Sequence, residues 1–440
     1  MDKFFKVTSR GSTVGKELIG GLATFLTMAY IVFVNPGILE AAGVPFAGAV
    51  TATCLGAAVM TIAMGLFANR PLALASGMGI NAVVAFTLTL GEGVDWRVAM
   101  SIIFLEGIVI LILVLCGLRE AIMKAIPVDL RRAIGIGIGL FIALIGLKGA
   151  GIIVADESTL ITIGNLGVPT AILGIISITL AVVLYALKVK GSLLWSILAA
   201  TIIGIPLGVT PLPSSFFSLD LDFSTFFAPF QTVDGTLAIV HVFTQPLLLL
   251  FVFSILMSDF FDTMGTVVAV GQKGNFVDKQ GNVEDLKPIL IVDSAAAAVG
   301  GLVGASSITT YVESTAGASE GARTGLSSIL VGLLFIVCIF FMPIIGMVSS
   351  AATCGALVLV GYLMMSDIGE ISWKDISTAF PAFIIILGMP LTYSITSGIG
   401  LGFIAFVIVK LATRKFSDIK PLMWLAAAAF LLSFVLEALF

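Results

Sequence analysis

Apolar residues fill the chain in runs of mostly about 15 to 22 positions, one of them shorter, separated by polar breaks. A helix of that length spans the hydrocarbon core of a bilayer. In order, the runs cover 18–34, 46–67, 72–90, 98–117, 133–147, 169–187 and 193–209. A long loop, 210–244, carries Asp220, Asp222 and Asp234 and no Lys or Arg. An eighth run starts at Pro246 and leads into Ser258-Asp-Phe-Phe-Asp-Thr-Met-Gly265. The rest cover 288–303, 305–323, 326–341, 351–365, 379–389 and 395–411. The pattern predicts an all-α polytopic membrane protein of about fourteen segments.

Two runs break the apolar rule. Ser76-Gly-Met-Gly-Ile-Asn81 interrupts the third, and 305–323 is built from small, hydroxylated and acidic residues. Glycine and hydroxyl side chains weaken a continuous helix. Polar segments at membrane depth are tolerated where they face protein or water, so both breaks mark a place of function.

Charge sets the orientation. Loops bearing Arg70, the Arg119 to Arg132 group, Lys188 with Lys190, Lys273 to Lys287, Arg323, Lys374 and Lys410 to Lys420 follow even-numbered segments. Arg97 and Lys148 are isolated exceptions. The positive-inside rule then places the N-terminus in the cytoplasm of a cell-membrane protein. Residues 1–17 would be the cytoplasmic N-terminus, 18–209 the first repeat, 210–244 an extracellular loop and 245–411 the second repeat. Residues 412–440 hold a basic linker and an extra hydrophobic stretch, either a fifteenth span or an interfacial helix. An odd seven segments per half turns the second half upside down, the inverted repeat of secondary transporters.

Composition agrees: of 440 residues, 59% are hydrophobic and 11% charged, against about 25% charged in soluble domains. The mean hydropathy is +1.18. Four cysteines sit singly in apolar runs, which suits packing and neither a metal nor a disulfide framework. No basic cluster suits nucleic acid, and no HExxH or P-loop suits an enzyme or an ATP-driven motor. No cofactor is expected.

The candidate chemistry is acidic. Asp259, Asp262 and Glu313 lie in or at the ends of apolar runs, and intramembrane carboxylates are functional candidates. Asp259 and Asp262 are three residues apart, so a helix would present both on one side, while an unwound chain would not. Asn81 is the matching polar group of the first half. Thr27, Thr263 and Thr310 are supporting candidates; Phe260 and Phe261 stand beside the acids, to stack on a flat ligand or to fill the core. Carboxylates can accept paired N–H groups from the edge of a base, and an acid held from water takes up a proton more readily. Asp259 and Glu313 are the proton-coupling candidates.

Four motifs carry a family resemblance over nearly the whole chain, to about Lys415. They are Gly20-Gly-Leu-Ala-Thr-Phe-Leu-Thr-Met-Ala-Tyr-Ile31, Gly77-Met-Gly-Ile-Asn-Ala82, the Ser258–Gly265 stretch and Ser307-Ile-Thr-Thr-Tyr-Val-Glu-Ser-Thr-Ala-Gly317. Together they resemble the azaguanine-like purine permeases of the nucleobase–cation symporter superfamily. The resemblance implies a seven-plus-seven inverted repeat with core and gate domains. It implies short extended stretches in segments 3 and 10 that pair beside the substrate. It implies site residues at Asn81, Asp259, Asp262 and Glu313, and proton-coupled purine uptake by an elevator-like movement, commonly in a homodimer. One departure is Thr263, which stands where the related uracil permeases carry histidine. Hypoxanthine or guanine is the favoured substrate class; an adenine-preferring permease and an anion transporter of the same architecture are the alternatives.

Overall fold

The computed structural model describes residues 2–117, 127–156, 158–213, 215–218, 221–277 and 283–439. Arg119, Lys124 and Asp220 lie outside these residues, as does the side chain of Phe261. A short α1 (Asp2–Phe5) precedes α2 (Val14–Met28) and α3 (Ile31–Ala41). The expected end of the first segment at Asn35-Pro36 is not one. The helix resumes after a break at Ala29–Tyr30 and runs through Pro36. Asn35 explains the continuity: its amide donates to Thr53 Oγ1 at 2.7 Å and to the Ala305 carbonyl at 3.2 Å. The helix is anchored there by side-chain bonds where proline withholds a backbone donor.

α4 (Phe46–Ala63) widens into π-type turns over Met64–Ala68. Then come β1 (Leu74–Ser76) and α5 (Met78–Ala82), which continues as π-type turns over Val83–Thr89. Asn81 therefore lies within a helix, and the extended stretch falls earlier than the glycines suggest. α6 (Trp96–Leu115) starts at Asp95, whose side chain accepts the Arg97 N–H. α7 (Val128–Gly149) leads into a hairpin, β2 (Ile153–Asp156) with β3 (Leu160–Ile163). Its turn is tied by Asp156, which accepts from the backbone and hydroxyls of Ser158 and Thr159. These bonds hold the Asp156 carboxyl well below the usual carboxylate range.

α8 (Pro169–Ala186) and α9 (Ser192–Gly204) follow. The long loop contains β4 (Thr232–Val233), β5 (Thr236–Leu237) and α10 (Ala238–Thr244). His241, the one histidine, is bonded to Thr236 and to the Val233 carbonyl and locks this small turn. α11 (Pro246–Gly274) is continuous through both aspartates, so they do share one side. α12 (Leu286–Val303) ends at Gly304, whose φ of +82° turns the chain into β6 (Ile308–Thr310).

After β6 come α13 (Ser314–Ser319), α14 (Gly325–Ile339), α15 (Met342–Ile345) and α16 (Ser350–Met364). α17 (Ile376–Thr392), α18 (Ile395–Ala412) and α19 (Pro421–Leu439) complete the chain. Glu320 pairs with Lys190, not with Arg323 as its position beside that residue suggests. The Arg323 guanidinium instead donates to the carbonyls of Ala318 and Ala322.

Nine helical stretches among the described residues are long and apolar enough to cross a membrane. Five shorter apolar helices accompany them. α17 packs closely on its chain neighbour α18, and the other extensive pairings include ones between distant parts of the chain: α6 with α12, α4 with α14, α7 with α16. α7, α8, α9, α16, α17 and α18 pack chiefly on one another. Glycines allow the closest approaches: a Cβ on Gly317 would lie 2.4 Å from the Gly20 carbonyl oxygen. No bulkier residue fits where α2 meets α13.

Candidate functional site

Local chemistry makes β6 extended. Ile308, Thr309 and Thr310 are β-branched, and serines flank the strand on its N-terminal side. β1 lacks that propensity and is held by its partners. The strands run antiparallel, with Leu74 opposite Thr310, Ala75 opposite Thr309 and Ser76 opposite Ile308. Gly77 N–H to the Ser307 carbonyl (2.8 Å) and Tyr311 N–H to the Ala73 carbonyl (2.9 Å) extend the ladder at its ends. The Tyr311 hydroxyl closes on the Ser76 carbonyl. All six strand residues are buried. Extended backbone in a membrane interior needs such pairing, because no water satisfies it.

Side chains satisfy the outer flanks. Thr61, on α4, accepts the Leu74 N–H at 2.9 Å and donates to the Leu74 carbonyl at 2.9 Å. Asp293, on α12, accepts the Thr310 N–H at 3.0 Å and the hydroxyls of Thr263 (2.7 Å) and Thr309 (3.3 Å). Asp293 is buried and lies inside the apolar run 288–303, outside the sequence-predicted set. The signal was present: it is a charged residue in an apolar span, as Glu313 is. Thr263 thus serves Asp293, a role that its place beside Asp262 does not reveal.

The predicted residues converge on this crossing. Asp259 is 2% exposed; its Oδ2 accepts the Ser307 hydroxyl at 3.1 Å. Ser307 also gives its carbonyl to Gly77, which links Asp259 to the start of α5 and so to Asn81. The Tyr30 hydroxyl donates to Glu313 Oε1 at 2.8 Å, and the Thr27 hydroxyl lies 3.4 Å from the Glu313 carbonyl. Asp262 is exposed and Glu313 half-buried. Asp293 and Asp262 are neighbours of Asp259, and Asp293 and Glu313 are neighbours of Asp262. Phe260 is packed into the hydrophobic core. Thr310 contributes its backbone to Asp293.

Several polar atoms here have no hydrogen-bond partner among the described residues. They are both amide atoms of Asn81, Oδ1 of Asp259, and the hydroxyls of Ser76, Ser306 and Thr310. Asn81 is fully buried. An unpaired buried donor or acceptor costs about 1–3 kcal/mol. A group of them around one crossing leaves donors and acceptors there that a polar ligand could meet.

The fold is similar to that of solved membrane transporters. It superposes on the transmembrane domain of a cyanobacterium bicarbonate transporter BicA with a TM-score of 0.65 at 16% identity, covering 87% of this chain and 97% of that one. Murine Solute Carrier 26 family member A9, an anion transporter in the inward-facing state, gives 0.64 at 12% identity, over 92% of this chain and 69% of that one. Such likeness shows the fold alone, and the nine candidate spans among the described residues make it that of a polytopic membrane protein. Sequence goes further. The Xan_ur_permease model matches residues 15–436, and the chain belongs to this permease family. Adenine permease AdeP of Escherichia coli (strain K12) is 40% identical over 441 residues, covering 99% of this chain and 96% of the relative. Guanine/hypoxanthine permease PbuO of Bacillus subtilis (strain 168) is 40% identical over 436 residues, covering 97% and 98%.

Proposed function

We propose that the protein is a secondary transporter that brings purine nucleobases into the cell with protons. The observation that carries the reading is the unpartnered polar set at the strand crossing, above all the buried Asn81 amide and the free Asp259 oxygen. A purine offers N–H donors and ring acceptors in one plane. Asp259 and Glu313 take its N–H edge, Asn81 bonds it from the other half of the chain, and Asp262 supports the acids. Two carboxylates favour an oxopurine, whose N1–H is a donor, over adenine, whose N1 is an acceptor. Relatives named for each specificity are equally similar, at 40% identity, so adenine is the second reading.

The fourteen-segment, seven-plus-seven arrangement fits the packing. α6 on α12 and α4 on α14 are the contacts that an inverted repeat would interchange. The mutually packed α7, α8, α9, α16, α17 and α18 serve as the gate, and the elements around the strands as the core that slides against it. Asp259 or Glu313 carries the proton, since Thr263 replaces a titratable histidine. An anion substrate is disfavoured by the repulsive carboxylates.

The test is uptake of labelled hypoxanthine by cells lacking their own purine permeases, with and without a protonophore, against excess guanine, adenine or uracil. Protonophore-sensitive uptake blocked by guanine but not adenine is the expected result. Competition by adenine alone transfers the protein to the adenine reading. If no base enters, the proposal fails.

A further inference from the structure

Away from the crossing, three arginines from distant parts of the chain surround one cavity. Arg10, Arg70 and Arg323 line a space of about 410 Å³ together with Ser9, Gly11, Asn275 and Glu284. Sites for small ligands begin near ~300 Å³.

The arginines are held in place from behind. Arg70 is 4% exposed and lies 4.6 Å over the Phe276 ring. Its Nη2 bonds Glu284 at 3.0 Å and Asp285 at 2.8 Å, while its Nε is buried with no partner among the described residues. Arg10 donates to the Asn69 carbonyl and reaches Asp285 at 3.3 Å. Burial and the nearby Arg70 charge push the Arg10 guanidinium below its ordinary value. The lining thus holds three guanidinium groups and one carboxylate, Glu284, whose side chain is 66% exposed. An exposed carboxylate can turn to solvent and yield its place. Guanidinium forks match the oxygens of a phosphate.

We propose that this cavity is a phosphoryl-anion site, occupied by the phosphate of a soluble nucleotide or of a lipid headgroup, with Glu284 as the internal group that the ligand displaces. Arg10 belongs to the N-terminal segment, so occupancy ties that segment to the ends of α4 and α11. The competing reading is a closed ion-pair lock that takes no ligand.

Glu284→Gln separates the two readings. Under the proposal it removes the competitor and tightens anion binding; in a lock it only loses stability. Full-length protein in detergent is titrated calorimetrically with inorganic phosphate and with AMP. It is also reconstituted in phosphatidylcholine nanodiscs with or without phosphatidylglycerol, and its melting is followed. Saturable binding of phosphate or AMP, tightened in E284Q and weakened about tenfold in R10Q and R323Q, supports a soluble ligand. Melting raised by phosphatidylglycerol in wild type but not in R10Q, without soluble binding, supports a headgroup. Absence of both effects, or equal binding by wild type and the arginine variants, overturns the proposal. Melting of each variant in neutral nanodiscs identifies any that fails to fold; R10Q and R323Q remove separate contacts, so one folded variant suffices.

Discussion

Leu74 and Thr310 face each other across the two-stranded ladder, and the N–H of each is taken by a side chain from outside it. Thr61 takes the first and Asp293 the second, both at hydrogen-bond distance. The two halves thus solve one backbone problem alike, with a neutral hydroxyl in one and a carboxylate in the other. The carboxylate also gathers Thr263 and Thr309, and so fixes the segment that leads to Glu313.

Removing Asp293 therefore strands several buried donors. Asp293→Ala is expected to lower stability by about 1–3 kcal/mol for each donor left unsatisfied, and to abolish uptake. Asp293→Asn keeps an acceptor for Thr310 but sets an NH2 against threonine hydroxyls, so it loses less stability. Melting of the purified variants in detergent measures the difference; equal melting of wild type and D293A would refute the role.

Asn81 makes the opposite prediction for stability. Its amide has no partner among the described residues, so Asn81→Ala should melt at the wild-type temperature or above it. If the amide binds the base, KM for uptake should rise by about tenfold, the worth of one hydrogen bond to a ligand. A large drop in melting temperature with unchanged KM would make the residue structural.

Tyr30 and Glu313 separate a positioning role from a binding role. Glu313→Gln should cut uptake by about a hundredfold, through loss of a charged acceptor. Tyr30→Phe removes only the 2.8 Å hydroxyl contact and should cost about three- to tenfold, with transport retained. Kinetics at matched surface expression distinguish the two; wild-type uptake by E313Q would remove Glu313 from the site.

The contact of α2 with α13 gives a steric prediction. Gly317→Val places carbons against the Gly20 carbonyl and the Thr24 hydroxyl, and should cost about 1–3 kcal/mol or more from overpacking. Gly37→Ala, on the exposed face of α3 with open space around it, should be tolerated. Comparing the melting of the two variants checks the contact.

Much of this was legible in the chain. Helical runs of membrane length declare themselves by hydropathy alone, and an acid or an Asn in such a run stands out, as Asp259, Glu313 and Asn81 did. What could not be read depends on contacts between remote residues. Pro36 looks like a helix end until Asn35 is seen bonded to Ala305 across the fold. β1 has weak strand propensity and exists because β6 and Thr61 hold it. Asp293 was visible as a letter, but its role lies in three donors brought by two other segments.

The ladder also constrains how the chain is made. Leu74 is synthesised more than two hundred residues before its strand partner Thr310 exists. At ribosomal speeds of about 5–20 residues per second, that is a wait of roughly 10 to 50 seconds. Throughout it, the inner edge of β1, with the Ala73 carbonyl and the Gly77 N–H, would lack its strand partner. Thr61 lies only thirteen residues upstream and binds both the N–H and the carbonyl of Leu74, a lasting partner that is available before β6 exists, while the Ala73 carbonyl and the Gly77 N–H on the inner edge await the second half. β6 has no such wait: when it emerges, both Asp293 and β1 are already in place. The hydroxyl on α4 thus satisfies the outer edge of β1 from within the first half, and the inner edge is completed only by residues that the second half supplies.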